Sequence, residues 1–198
     1  MVGEISDMKA QDFLNKFHLS PTLVNQHLPK FIVDQDVKQS AVLIPLIEVN
    51  NALQVLLTKR AQHLKHHPGQ ISFPGGKVEP TDISPIETAL REAHEEIGLK
   101  PENVQVIGQL DNYQTLTGFN IRPIVGLIQP QEKYIIDHNE VAEIIQVPLQ
   151  HFINKEQHVT LMVERKQLSY PLHFMPYQGH NIWGATAAIL NDLCLHLV

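Results

Sequence analysis

Cysteine is almost missing from this chain: Cys194 is the one thiol among 198 residues, so no internal disulfide can hold the fold. It sits in an apolar C-terminal pattern and reads as a small core residue. No Cys/His grouping has zinc spacing, and no HxxxH or HExxH pair falls on a predicted helix. Most of the 12 histidines, His151 and His158 among them, stand singly. Long apolar runs are lacking too; the longest, Ala41–Ile47, is too short to span a bilayer. Excess positive charge is also lacking. The net charge of −6 argues against binding nucleic acid through its phosphates, and the one dense basic cluster, Lys59-Arg60 with Lys65-His66-His67, is local. The N-terminus has no basic flank followed by an apolar run, so no signal peptide is expected. A soluble, cytoplasmic protein with neither a membrane nor a nucleic-acid partner is the expectation.

What is present suits one domain. With 43% hydrophobic and 18% charged residues the chain can bury an ordinary core. Residues 1–39 read as an N-terminal extension packing on a domain at 40–198. The extension shows a helical period at Asp12–Leu19, and Ser20-Pro21 could open a second short helix. Ser40–Val49 and Leu53–Thr58 read as a hairpin turning at Asn50-Asn51. A basic loop follows, then a short strand at Gln70–Phe73 and a tight turn at Pro74-Gly75-Gly76. Val104–Leu110 and Ile121–Ile128 read as strands. Glu140–Val147 is ambiguous, Val159–Glu164 with Leu168–Phe174 reads as another hairpin, and Trp183–Leu197 reads as a closing helix. Strands interleaved with about two substantial helices predict an α/β protein, a mixed-sheet sandwich, not regular βαβ alternation.

The least ordinary stretch is Gly69–Leu99. Ser84 suits the N-cap of a helix, Pro85 its first position, and Glu87 completes a capping box. Ile86, Ala89, Leu90, Ala93 and Ile97 make an apolar face, and Gly98 ends the helix. On this helix Glu92, Glu95 and Glu96 fall on one side, where three carboxylates repel one another. Arg91 offsets part of that by pairing with Glu95 at i+4. A hard divalent cation, Mg²⁺ or Mn²⁺, offsets it better, because such ions prefer carboxylate, carbonyl and water oxygen. A backbone without side chains at Gly75-Gly76 can bring a carbonyl to that metal or amides to a phosphate.

Gly76, Arg91-Glu92, Glu95-Glu96 and Gly98-Leu99 resemble the Nudix box of hydrolases that cleave a nucleoside diphosphate linked to another group. Here five residues separate Gly76 from Asp82 and eight separate Asp82 from Arg91. The box is therefore one residue longer than usual, with Asp where Glu is usual. The longer spacing resembles the coenzyme A pyrophosphatase branch. So do Leu56-Leu57-Thr58-Lys59-Arg60, the run Lys65–Gly76, and Ile182–Ala187 downstream. Lys65 departs from that branch, which has Arg there; the charge is kept and the bidentate fork is lost.

The resemblance implies a Nudix fold with a catalytic strand-loop-helix motif, and Glu92, Glu96, Glu95 and the Gly76 carbonyl as metal ligands. The cation would neutralise pyrophosphate oxygens and activate water for in-line attack. It leaves Glu92, Glu95 and Glu140 as candidate general bases. Arg60, Lys65 and His67 are the candidates to hold phosphate, and Trp183 to stack on adenine. The implied substrate is coenzyme A or its derivatives, giving adenosine 3′,5′-bisphosphate and a phosphopantetheine product. Another nucleoside diphosphate derivative, such as ADP-ribose or a dinucleoside polyphosphate, and a non-catalytic binding module stay open. A homodimer is allowed, not required.

Overall fold

The computed structural model describes residues 8–19, 37–165 and 168–197. The second helix expected from Ser20-Pro21 lies outside them. Chain order is α1 (Ala10–Leu19), β1 (Lys38–Val49), β2 (Ala52–Arg60), β3 (Ile71–Ser72), β4 (Gly75–Lys77) and α2 (Pro85–Ile97). Then come β5 (Val104–Gln109), β6 (Tyr113–Gln114), β7 (Phe119–Ile128), β8 (Val141–Pro148), α3 (Leu149–Ile153), β9 (Val159–Arg165), β10 (Leu168–Tyr177), β11 (His180–Trp183) and α4 (Gly184–Leu195).

The eight-stranded sheet is mixed. β1 and β7 run parallel, from Lys38 opposite Phe119 to Ile47 opposite Ile128, and the other pairings are antiparallel. On its other edge β1 changes partner, pairing with β4 at Ser40–Val42 and with β2 at Leu46–Val49. Pro45 lies in the gap between these pairings, where a residue without an amide hydrogen does least harm. Side chains alternate along β1. Ala41, Leu43 and Ile47 face one core with Ala89, Ala93 and Ile97 of α2, while Ile44 and Leu46 face a second core with Leu190 and Leu193 of α4. Helices thus cover both faces of the sheet. α1 joins the second core through fully buried Phe13, and Lys16 Nζ donates to the Leu197 carbonyl at 2.7 Å.

Four sequence expectations change. Pro74-Gly75-Gly76 is not a tight turn: Gly75 and Gly76 run extended as β4 against Val42 and Ala41. Glu140–Val147 resolves as strand β8, because Gln54–Arg60 offers it a full antiparallel partner. Trp183 does not open the last helix but ends β11, a strand too short to leave a period in the sequence. Ile86 leaves the apolar face of α2, being 39% exposed in the first helical turn.

Candidate active site

The helix α2 starts and stops as its caps dictate. Ser84 Oγ accepts the Glu87 amide at 3.2 Å, and the Glu87 carboxylate reaches back to the Ile83 amide at 2.6 Å. Gly98 takes φ of 66°, and the amides of Gly98 and Leu99 return to the His94 and Ala93 carbonyls. Its buried stripe of Ala89, Ala93 and Ile97 has small residues at its centre, so the helix lies close on β1 and β7.

Arg91 is the hub of the polar face. Its Nε and Nη2 donate to the two Asp82 oxygens at 3.0 Å each, and Nη2 also donates to the Lys77 carbonyl at 3.2 Å. Its Nη1 donates to Glu92 at 3.1 Å and to Glu95 at 3.0 Å. The i+4 pairing with Glu95 is as expected. Asp82 is held further by the Glu79 amide at 2.8 Å and by Thr88 Oγ1 at 2.9 Å. The guanidinium keeps the Asp82 carboxyl well below the usual carboxylate range, and Asp82 raises Arg91 in return. The clamp on Arg91, with Thr88 as its second support, was not foreseen. Its signal is the fixed distance from Asp82 to a hydroxyl and a guanidinium on one helical face.

The three glutamates part company. Glu95 turns outward to Arg91, its side chain 57% exposed. Glu92 is half-buried against Gly76: a Cβ on Gly76 would land on the Glu92 carboxylate. Glu96 is 4% exposed, and its Oε2 has no hydrogen-bond partner. Burial, with Glu140 and Glu92 nearby, pushes the Glu96 carboxyl up to about 8, although Arg60 and the Gly75 amide pull the other way. Burial likewise raises Glu92, against the pull of Arg91.

Glu140 arrives from the far side of α2. The Asp137 amide donates to the Glu96 carbonyl at 3.0 Å, the Glu140 amide to the Asp137 carbonyl at 3.0 Å, and the Ala61 amide to the Glu140 carbonyl at 2.8 Å. The last turn before β8 is thereby pinned between the end of α2 and the end of β2. Arg60 ends β2 at a bulge, with its buried Nε unpaired. Lys65 and His67 stand on the exposed loop that follows, where His67 Nδ1 pairs with Gln70 Oε1 at 2.8 Å. Trp183 is placed in the three-stranded sheet, stacked on Phe174 at 6.2 Å between ring centroids.

Among the described residues no three His, Cys, Asp or Glu side chains already surround one point. Glu92 and Glu95 are turned to Arg91 instead. The donor set still suits a hard cation. A buried carboxylate oxygen without a partner, two further carboxylates close enough to repel it, and a glycine leaving room for one of them all favour bound positive charge.

The model of the NUDIX domain matches residues 37–173. A protein of Pectobacterium atrosepticum called "Uncharacterized Nudix hydrolase NudL" is 40% identical over 188 residues, 94% of this chain and 93% of its own length. The protein of the same name from Enterobacter sp. is 38% identical over 194 residues, 98% and 97% of the two chains. A crystal structure of a MutT/nudix family protein from Enterococcus faecalis superposes with a TM-score of 0.50 at 20% identity, covering 94% of this chain and 74% of that one, a likeness of fold. With the domain model spanning the sheet and α2, and relatives alike over nearly their whole length, the chain belongs to the NUDIX domain family, the Nudix hydrolases.

Proposed function

We propose that the protein hydrolyses the diphosphate bond of coenzyme A and its derivatives, giving adenosine 3′,5′-bisphosphate and a phosphopantetheine product. The observation that carries this reading is the position of Arg60. Its charge acts on Glu96, its buried Nε has no partner, and it opens the basic loop of Lys65 and His67. A substrate with a diphosphate at the carboxylates and a further phosphate on its ribose needs such a cationic approach on an otherwise acidic protein.

Glu92 and Glu96 would hold Mg²⁺ or Mn²⁺, with the Gly76 carbonyl beside Glu92 and Glu95 at the rim. A bound cation there screens the diphosphate oxygens and makes water a better nucleophile at neutral pH. The chain's own residues do the rest. Asp82 and Arg91 fix the angle of Glu92. Glu140, brought in by its backbone bonds and not tied to Arg91, takes the proton from the attacking water. Arg60 neutralises the phosphate that departs, and Lys65 and His67 meet the outer phosphate. Trp183 is the one residue of the expected set that this reading leaves without a role.

The test is a substrate panel with Mg²⁺ and with Mn²⁺. Turnover of coenzyme A at least tenfold more efficient than that of ADP-ribose or a dinucleoside polyphosphate supports the reading. The reverse order defeats the coenzyme A assignment and leaves the hydrolase.

A further inference from the structure

Strand β9 has a neighbour on one side only. All of its residues pair with β10, from Val159 opposite Phe174 to Arg165 opposite Leu168, with no bulge. Among the described residues nothing pairs with its other edge, and β10 is the one element it packs against closely. Natural sheets blunt an open edge with lysine, proline or a bulge. The run Val159-Thr160-Leu161-Met162-Val163 has none of these and no charge.

The side chains at this edge are bare as well. Val159 is 50%, Leu161 51% and Met162 66% exposed, and none of them joins either apolar core. The register sets Leu161 beside Leu172, and Val159 beside Phe174, which stacks on Trp183. Directly opposed residues share a face of the sheet. An apolar stripe therefore crosses all three strands from Trp183 to Leu161, on the face away from buried Met175 and Ile182. Met162 lies on the other face of β9, because side chains alternate along a strand. A layer laid over one face would leave the other bare, whereas a further strand added at the edge shields both.

We propose that β9 is a dimer contact: it pairs antiparallel with β9 of a second copy about a two-fold axis at Met162, joining two three-stranded sheets into one of six strands. Met162 is the middle residue of Val159–Arg165, so this register alone overlaps the whole strand. It sets Met162 beside Met162 of the second copy, Leu161 against Val163 and Thr160 against Glu164, with no like charges opposed. Pairing of this length covers roughly 500 Å² per copy, and the resulting total of about 1,000 Å² is the lower bound for a specific interface. An uncharged edge offers nothing to a polyanion or a charged peptide, whereas a second copy brings the same apolar side chains. The contact does not involve the carboxylates of α2 and does not depend on the proposed substrate.

The experiment is sedimentation of the full chain from low micromolar to submillimolar concentration, with the natural protein and L161D. The natural protein should form a species of twice the 22.4 kDa chain mass. L161D, with unchanged circular dichroism, should dissociate at least about tenfold more readily, because pairing would bury an unpaired charge. A natural protein that stays monomeric throughout overturns the proposal. So does a dimer that L161D leaves intact, since it would form through another surface. Where L161D does not fold, disulfide cross-linking decides, the native Cys194 being buried. M162C meets its own copy across the axis and should cross-link under mild oxidant. Two copies of T160C would stand roughly 14 Å apart along the ladder, beyond the reach of a disulfide. Cross-linking of M162C no faster than that of T160C overturns the proposal equally.

Discussion

Asp82 and Arg91 meet through two parallel hydrogen bonds of 3.0 Å each, Nε to one carboxylate oxygen and Nη2 to the other. Such a fork fixes direction as well as distance. Its other prong, Nη1, holds Glu92. The fork is thus a positioning device, and D82N should leave the helix in place while loosening the guanidinium. Activity is expected to fall about tenfold or more through kcat, with circular dichroism unchanged. Unaltered kcat in a folded D82N would contradict the role.

Neighbouring glycines on β4 should fail in different ways. A Cβ at Gly75 meets backbone, the Ala41 carbonyl at 2.5 Å and the Val42 Cα at 2.6 Å, which cannot yield without moving β1. A Cβ at Gly76 meets the end of a flexible side chain, the Glu92 carboxylate. G75A is therefore expected to cost about 1–3 kcal/mol of stability, the range for overpacking. G76A should keep its melting temperature within a few degrees and lose at least about a hundredfold in turnover. Denaturant melts and initial rates on both variants separate these outcomes, and equal melting losses would refute the distinction.

Much of this was legible beforehand because local chemistry dictates it. Ser84, Pro85, Glu87 and Gly98 fix the ends of α2 by hydrogen bonds within a few residues, so the sequence carries the whole argument. The i+4 geometry likewise dictates the Arg91–Glu95 pair. What escaped depends on distant partners. The segment Val141–Pro148 reads equally as helix or strand until β2 is there to pair with it. Gly75-Gly76 has every mark of a turn, and only the free edge of β1 makes it a strand. The separate fates of Glu92, Glu95 and Glu96 follow from how deeply α2 sits on the sheet, which no spacing rule states.

Glu140 is placed by its backbone and not by a side-chain partner: its carbonyl takes the Ala61 amide and its own amide reaches the Asp137 carbonyl. Changing the side chain should therefore leave the strap intact. E140Q is expected to fold normally and to lose about 10²–10⁴-fold in kcat, the range for a general base. A variant with a normal rate would move the base to Glu92 or Glu95.

Glu96 gives the site a pH signature of its own in the metal-free protein. Its carboxyl titrates at about 8 when folded against 4.5 as the unperturbed value, and the first cause is burial. Below about pH 4.5 both folded and unfolded chains hold the proton, and the group costs the fold nothing. Between 4.5 and about 8 the folded state keeps a proton that the unfolded chain gives up, so stability falls as pH rises through this window. At about 1.4 kcal/mol per unit the loss amounts to a few kcal/mol at most. E96Q, which cannot ionise, escapes it. In chelator, the melting temperature of E96Q should match the natural protein near pH 4.5 and exceed it by several degrees at pH 8.5. Adding Mg²⁺ or Mn²⁺ at pH 8.5 should close that gap by raising the natural protein alone, because a bound cation repays the buried charge. A gap that is flat with pH would show that Glu96 is not the buried acid of this site, and a gap that ignores the cation would show that it is not a ligand.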